Sequence, residues 1–163
     1  MLTIRAANVG DAAVISKLIS ELAEYEKQSE QVRTTEADIL RDGFGEHPEF
    51  RVLIAEWHGV PAGFALFFSY YSTWRGAGLY LEDLFVRPEL RKRGIGKALL
   101  AEVARAAEQE KRVFIRWAVL NWNQSAIAMY RTLGAGFLDE WRTVLLAGEG
   151  LKKLTGYLPI TVV

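Results

Sequence analysis

Apolar residues recur at helical spacing in several stretches of the chain and predict four helices. The stretch "DAAVISKLISELAEYE" has an apolar stripe on one face and offers Asp11 as its N-cap. The stretch "GIGKALLAEVARAAEQE" has a second stripe, while "TEADILRDGF" opens with Thr35 and Asp38 at the spacing of a helix start. "QSAIAMYRTLG" predicts a short helix closed by Gly134. The two long stripes consist of Val14, Ile15, Leu18, Ile19, Leu22 and Tyr25, and of Ile95, Leu99, Leu100, Val103 and Ala107.

Stretches rich in β-branched and aromatic residues predict strands between these helices. They are "LTIRAA", "FRVLIAEW", "AGFALFFSYYS", "GLYLEDLFV", "RVFIRWAV" and "WRTVLLA", and "HGVP" predicts a hairpin between the second and third. The resulting order is β-α-α-β-β-β-α-β-α-β, with one strand–helix–strand crossover in the middle. This pattern predicts an α/β fold with a mixed central sheet and helices on both of its faces.

Composition and charge narrow the class of protein. A chain of 163 residues without a repeat or a linker-like tract predicts a single domain over residues 1–163. Lys and Arg balance Asp and Glu at 20 each, so we expect neither nucleic acid nor a membrane surface as a partner. The absence of cysteine excludes disulfides and a cysteine nucleophile, and His47 and His58 lack metal-ligand spacing, so no metal is expected. Without a signal peptide or a long apolar run, the expected location is the cytoplasm.

A cluster of basic residues surrounds two glycines where a strand gives way to a helix. In "VRPELRKRGIGKALL" the bases are Arg87, Arg91, Lys92, Arg93 and Lys97, and only Glu89 opposes them. Free N–H groups at a helix N-terminus favour a phosphate, and a glycine lets that phosphate approach the backbone. The dinucleotide fingerprint fails at Leu99, and the P-loop pattern fails at Arg91 and Ala98. The cluster therefore predicts a different phosphate ligand or a purely structural turn.

The order R-x-x-G-x-G, from Arg91 to Gly96 after "YLEDLFV", resembles the acetyl-CoA signature of the GNAT superfamily of N-acetyltransferases. The stretches "ELAEYEK", "DGFGEHPEF", "YYSTWRG", "LNWNQSAIAMYRTLGA" and a late "WR" are similar to the diamine acetyltransferase family, the spermidine/spermine and thialysine enzymes. The resemblance covers roughly residues 4–154. It implies the GNAT fold, acetyl-CoA as co-substrate, a small amine as acceptor and a homodimer.

The same resemblance implies roles for individual residues. Coenzyme binding is implied for Leu84, Phe85, Val86, Arg91, Lys92, Arg93, Gly94, Ile95, Gly96, Lys97, Asn123 and Ser125. Tyr25 and Glu26 correspond to an amine-binding pair, and Glu82 to a base that also contacts the amine. Tyr130 corresponds to the catalytic acid, although a lone tyrosine on an apolar helix face is also typical of a core residue.

The pair Glu82 and Asp83 allows more than one interpretation from the residues alone. Adjacent strand residues face opposite sides, so the two acids are not expected to enter the same cleft. They could lie at a solvated strand end or pair with nearby arginines. Loss of a proton from an alkylamine with a pKa of about 10.4 requires help near neutral pH, and a carboxylate can provide it. The resemblance favours Glu82 for that role.

Departures from the polyamine enzymes point towards an amino acid as acceptor. Lys92 also replaces a usual glycine, but the coenzyme signature leaves that position free, so coenzyme binding is still expected. Asn121 stands where those enzymes carry an acid. Arg116 offers a planar fork that suits a carboxylate, which a polyamine lacks, unless Arg116 points to the opposite face of the strand and pairs with an acid there. The apolar tail over residues 157–163 extends beyond the usual end of the family.

Two other functions fit the same pattern. Acetylation of a protein N-terminus or a lysine would need an open groove, which the "DGFGEHPEF" and "YYSTWRG" loops are expected to narrow. A non-catalytic acyl-CoA binding module would keep the glycine cluster without needing Glu82 or Tyr130.

Overall fold

A computed structural model describes residues 1–156 of the protein. The chain divides into two compact units, Met1–Ala118 and Val119–Val163. We describe each unit by itself. The tail predicted at residues 157–163 lies outside the described residues.

The first unit is a five-stranded mixed sheet with three α-helices. The strands follow the order β1-β2-β3-β4-β5, antiparallel throughout except for the parallel pair β4 and β5. Helix α3 connects those two parallel strands, which confirms the predicted crossover. The elements are β1 (Leu2–Ala6), α1 (Ala12–Tyr25), α2 (Glu36–Phe44), β2 (Arg51–Trp57), β3 (Val60–Ser72), β4 (Gly76–Val86), α3 (Ile95–Gln109) and β5 (Ile115–Arg116).

The helices cover both faces of this sheet. Ile15 and Leu18 of α1 are fully buried against alternate residues of β2, β3 and β4, such as Phe64 and Phe85. We call the side of the sheet that α1 covers the α1 face. The predicted stripe of α3 is also buried, and α3 packs on the strands through their remaining residues, including Leu79 and Leu81. Strand alternation thus separates two apolar layers, as the sequence predicts.

Of the two helix N-caps that the sequence predicts, one forms a capping hydrogen bond and the other does not. Thr35 and Asp38 form a reciprocal capping box at α2, as predicted. Asp11 stands at the N-cap position of α1, but its side chain makes no capping hydrogen bond. Its carboxylate instead accepts two hydrogen bonds from Arg5 and one from the Asn8 backbone N–H, all at 2.8 Å, so its oxygens are already engaged in the turn before α1.

A β-bulge interrupts the pairing of β3 with β4. Leu66 pairs with Asp83, whereas the next residue, Phe67, pairs with Leu81. Glu82 is therefore the extra residue on β4. A bulge breaks the strict alternation of side chains, so the expectation that Glu82 and Asp83 face opposite sides does not hold here. The register instead gives Asp83 the same face as Leu66, which is the α1 face.

The second unit, as far as residue 156, contains two helices, α4 (Gln124–Thr132) and α5 (Gly148–Thr155). Helix α4 ends as predicted, with Gly134 in the left-handed region at φ 79° just beyond its C-cap. The predicted strand "WRTVLLA" is wrong, because residues 141–147 form no strand and pair with no strand among the described residues. The strand predicted over "RVFIRWAV" shortens to Ile115–Arg116, since β4 offers pairing only at Leu79 and Tyr80.

Candidate functional site

The loop that precedes α3 brings free N–H groups together around two glycines. We call residues 91–97 the glycine loop. Gly94 is the N-cap of α3 at φ 81°, and it has no side chain with which to cap the helix. The first N–H groups of α3 are therefore left without intrahelical partners. A Cβ added at Gly94 would enter open space, and Gly96 would bring a Cβ only to 3.7 Å from a methyl of Val86. This geometry leaves a cradle that suits an anion such as a pyrophosphate.

The bases near the glycine loop divide into two groups. Lys92, Arg93 and Lys97 are exposed around the glycines. Arg87, which the sequence suggested as part of the same cluster, is instead directed at α1, where it makes two hydrogen bonds to Glu21 at 2.8 and 2.9 Å. Its remaining guanidinium nitrogen donates to the Pro61 carbonyl. Arg87 is thus a structural link, because its donors are already satisfied by protein groups.

One residue of the glycine loop carries backbone strain. Lys92 lies at φ 60°, in the left-handed backbone region that residues other than Gly, Asn and Asp seldom adopt. A glycine at this position would relieve that strain. A lysine at position 92 therefore strains the backbone but leaves the anion cradle open.

The outer edge of β4 lies beside the glycine loop. Among the described residues, β5 pairs with β4 only at Leu79 and Tyr80. The edge from Leu81 to Val86 therefore has no described strand partner, which leaves backbone groups of Leu84 and Val86 available to a ligand. The Val86 carbonyl is an exception, because Arg91 Nε donates to it at 2.9 Å.

Carboxyl groups gather at the α1 face. Asp83 faces α1 by its register, and the charges of Glu82 and Glu26 both act on it. Burial, reinforced by those two charges, raises the pKa of Asp83 from 3.8 to about 7. Burial also raises the pKa of Glu26, the C-cap of α1. Sequence reasoning favoured Glu82 and missed Asp83, because only the bulge turns both acids towards one region.

Arg116 lies on the same face of the sheet. Its register partner is Tyr80, which pairs in turn with Phe68 of the α1 face. Arg116 Nη1 donates to the Tyr70 hydroxyl at 2.9 Å. Burial and the Glu82 charge raise the pKa of Tyr80, whereas the Arg116 charge acts to lower it. Arg116 and the acids therefore share one electrostatic environment, and the two tyrosines, which sequence reasoning missed, line it.

Tyr25 and Glu26 stand where α1 ends. Tyr25 is the last residue of the helix, and its ring lies 3.8 Å from the Arg91 guanidinium carbon. The Glu26 backbone N–H donates to the Leu22 and Glu24 carbonyls, so its backbone is held at the helix terminus. The structure thus brings the predicted amine-binding pair close to the first residue of the glycine loop.

The second unit carries the other predicted site residues. Asn123 is the N-cap of α4, where its side-chain oxygen accepts a hydrogen bond from the Ala126 N–H at 3.3 Å. Ser125 is exposed in the first turn of that helix, and Tyr130 is buried. Asn123 therefore has a structural task in addition to any ligand contact.

Comparison with known proteins identifies the family. The model of the Acetyltransferase (GNAT) family matches residues 15–135, most of the chain. The chain belongs to the GNAT acetyltransferase family. The GNAT match confirms the sequence resemblance and the predicted α/β fold.

Relatives of known name define the kind of reaction. The thialysine N-epsilon-acetyltransferase of Sus scrofa is 42% identical over 164 residues, covering 94% of this chain and 96% of the relative. Spermidine/spermine N(1)-acetyltransferase-like protein 1 of Homo sapiens is 37% identical over 139 residues, covering 81% of this chain and 20% of that protein. This GNAT protein is an N-acetyltransferase that transfers an acetyl group to a small amine.

A solved structure supports the same fold. The aminoglycoside N-acetyltransferase AAC(6')-Iy in complex with CoA matches with a TM-score of 0.71 at 21% identity, covering 91% of this chain and 95% of that chain. Together with the family match, this likeness shows that the chain has the GNAT fold.

Two kinds of feature are absent from the described part of the chain. Within residues 1–156, no helix has the length and apolar character needed to cross a membrane. The same part of the chain contains no group of three or more His, Asp or Glu residues placed to hold a metal ion.

Proposed function

We propose that this protein uses acetyl-CoA to acetylate the terminal side-chain amine of a lysine-like amino acid such as thialysine. The observation that carries the proposal is that a cation, Arg116, and a half-buried acid, Asp83, share the α1 face. An amino acid with an amine at the end of its side chain offers its carboxylate to Arg116 and its ammonium group to Asp83. Thialysine, which appears in the name of the relative from Sus scrofa, is such an amino acid.

The glycine loop and the edge of β4 are the proposed coenzyme site. The open space at Gly94, the exposed bases and the free first N–H groups of α3 fit a pyrophosphate. The edge of β4 offers backbone groups to the pantetheine arm. The coenzyme, when bound, supplies the acetyl group. The proposed binding residues are Leu84, Phe85, Val86, Arg91, Lys92, Arg93, Gly94, Ile95, Gly96, Lys97, Asn123 and Ser125.

The acids would attract the amine and take its proton. An alkylammonium with a pKa of about 10.4 must lose a proton before its nitrogen can attack the acetyl carbonyl. We assign proton acceptance to Glu82, directly or through water, with Glu26 and Asp83 holding the cation. A carboxyl whose pKa is about 7, like that of Asp83, is also well matched to proton transfer near neutral pH.

The leaving sulfur needs a proton as its bond to the acetyl carbon breaks. Tyr130 is the proposed donor, on the strength of the family resemblance and its position in "SAIAMYRTLG". In the balanced reaction a new N–C bond replaces the C–S bond. The ammonium gives one proton to Glu82 before its nitrogen attacks. The Tyr130 proton passes to sulfur as the C–S bond breaks, and the second proton that the nitrogen loses restores Tyr130, directly or through water.

Arg116 is the proposed carboxylate anchor. Its guanidinium is planar and presents several N–H donors, one of which donates to the Tyr70 hydroxyl at 2.9 Å. A polycation such as spermidine has no group for this fork and would be repelled by it. Arg116 therefore favours an amino acid as acceptor over a polyamine, the class of amine in the name of the human relative.

The test is the acceptor preference of wild type and Arg116→Ala, measured by thiol release from acetyl-CoA. We expect thialysine to have a higher kcat/KM than spermidine. Arg116→Ala should lower kcat/KM for thialysine by about 10- to 100-fold, the value of a charge-assisted hydrogen bond. The decarboxylated analogue of thialysine serves as a matched substrate, because its kcat/KM should not fall in the same variant.

Arg112→Ala is the control variant, because Arg112 also lies near β5 but contacts Glu110 and Ser69 instead. It should leave the thialysine-to-spermidine ratio unchanged. A wild-type preference for spermidine, or an unchanged ratio in Arg116→Ala, would contradict the proposal and favour a polyamine.

We also propose that the two units form one N-acetyltransferase domain, acting as a cytoplasmic homodimer. The family match at residues 15–135 runs across both units, which supports a single domain. Val144 and Leu145 are 88% and 86% exposed, and apolar side chains so exposed favour self-association. Sedimentation of the full chain as a monomer at micromolar concentration would contradict the dimer.

A further inference from the structure

Two arginines of the β4–α3 connection hold α1 at positions one helical turn apart. Arg87 pairs with Glu21, and the Arg91 guanidinium carbon lies 3.8 Å from the centre of the Tyr25 ring. Glu21 and Tyr25 are four residues apart and share one side of α1. Arg87 and Arg91 are also four residues apart, with the short turn Pro88–Leu90 between them. The C-terminal half of α1 is thus attached twice to the segment that leads into the glycine loop.

Arg91 differs from the other bases of the glycine loop in where its side chain is held. It is half-buried, and besides stacking on Tyr25 it donates from Nε to the Val86 carbonyl at 2.9 Å. Arg93, in contrast, is exposed and lies 5.5 Å from the Trp57 ring, on the hairpin of β2 and β3. A guanidinium within about 6 Å of an aromatic ring is attracted to it, and more strongly when partly shielded from water.

The position of Arg91 also suits the end of α1 electrostatically. Tyr25 is the last helical residue, so the guanidinium stands near the negative end of the helix macrodipole. The chain leaves the helix abruptly there, with Lys27 in the left-handed region at φ 59°. A helix terminus of this kind opens easily unless a tertiary contact holds it.

We infer that Arg91 is a positioning residue, which couples occupancy of the glycine loop to the placement of Tyr25 and Glu26. A coenzyme that orders the glycine loop fixes the Arg91 backbone, and the stacked guanidinium then holds the last turn of α1. The acceptor would in this way meet an ordered Glu26 only after the coenzyme is bound. This inference rests on the proposed function for the amine-binding role of Tyr25 and Glu26.

Hydrogen–deuterium exchange of the full chain tests the coupling without any amine. In the wild type, coenzyme A should slow exchange in residues 22–26 at least about threefold, because ordering raises the cost of local opening. Arg91→Lys keeps the positive charge but loses the planar face and the fork. In that variant coenzyme A should still bind, but the slowing in residues 22–26 should be lost.

Matched variants separate stacking from charge. Arg93→Lys removes a guanidinium from the same loop that does not touch α1, so the response to coenzyme A should persist. Tyr25→Phe keeps the ring and should also retain it, whereas Tyr25→Leu should lose it. Because both substitutions break the same stacking contact, the double variant Arg91→Lys with Tyr25→Leu should lose the slowing by coenzyme A to the same extent as either single variant. An undiminished response in Arg91→Lys would overturn the inference.

Kinetics give a second readout that a purely phosphate-binding role would not produce. With thialysine as acceptor, Arg91→Lys should raise the amine KM about 5- to 20-fold while the affinity for coenzyme A changes less than about threefold. The reverse split, with weakened coenzyme A and an unchanged amine KM, would show that Arg91 is only a coenzyme ligand. Failure of the wild type to acetylate any amine would contradict the proposed function, and the exchange experiment would still decide the coupling.

Discussion

The glycine loop and the α1 face are built in opposite ways. The glycine loop consists of consecutive residues, and its main donors are backbone N–H groups exposed by Gly94 at φ 81°. The α1 face is assembled from side chains far apart in sequence, such as Glu26, Asp83 and Arg116. The first is sensitive to any change in backbone shape, whereas the second is sensitive to charge and register. Variants that disturb one should therefore leave the other largely intact.

The largest effect is expected when the glycine loop is closed. Gly94→Val would place a β-branched side chain in the left-handed region and fill the open space where the backbone meets its anion. We expect coenzyme A affinity, measured by calorimetry, to fall by at least about 30-fold, since each 1.4 kcal/mol is tenfold.

Gly76→Val provides the control for strain alone. Gly76 also has a positive φ, 93°, and open space around a Cβ, but it lies at the start of β4 away from the loop. It should lower stability without changing coenzyme A affinity. Equal affinities for Gly94→Val and wild type, in a folded variant, would remove the glycine loop from the coenzyme site.

The next effect should come from Asp83, the half-buried acid of the α1 face. The pKa of Asp83, about 7, is higher than its ordinary value of 3.8, so the folded state holds this proton more tightly than the unfolded state. Wild-type stability should therefore decrease as the pH rises from about 4 to about 7. Asp83→Asn avoids that loss, and at pH 8 its Tm should exceed that of the wild type by about 2–8 °C.

The pH dependence distinguishes burial from simple loss of a negative charge. The gain from Asp83→Asn should shrink towards pH 5, where the wild-type carboxyl is protonated. Glu46→Gln removes one exposed charge of the same sign and should show no such trend. A Tm difference for Asp83→Asn that is independent of pH between 5 and 8 would contradict the raised pKa. Coenzyme A affinity should stay within about threefold, since Asp83 belongs to the other region.

The smallest effect concerns strain at Lys92. Lys92→Gly and Lys92→Ala remove the same charge, but only alanine keeps a Cβ at φ 60°. The glycine variant should be more stable than the alanine variant by about 0.5–1 kcal/mol in denaturant unfolding. Both should weaken coenzyme A binding equally, by roughly two- to threefold, and less at high salt. Greater stability of the alanine variant would argue against the left-handed conformation.

The chain alone determined the features that depend on neighbouring residues. The stripes of α1 and α3, the capping box of α2 and the glycine loop all follow from short-range spacing, and the structure contains each of them. Local rules also placed β4 before α3, which is why the anion cradle could be anticipated. They failed for residues 141–147, because an apolar stretch becomes a strand only when another strand pairs with it.

Only the tertiary structure decided how distant side chains meet. The bulge at Glu82 breaks the alternation that would have placed Glu82 and Asp83 on opposite faces. No residue type in "LYLEDLFV" predicts a bulge. The pairing of Tyr80 with Arg116 determined which face Arg116 shares, and the fold around β4 determined that Asp83 is half-buried there. Likewise, Arg91 looked like one more phosphate ligand until the fold brought the Tyr25 ring against it. Register and packing are long-range properties, and the α1 face depends on them because its charges come from separate elements.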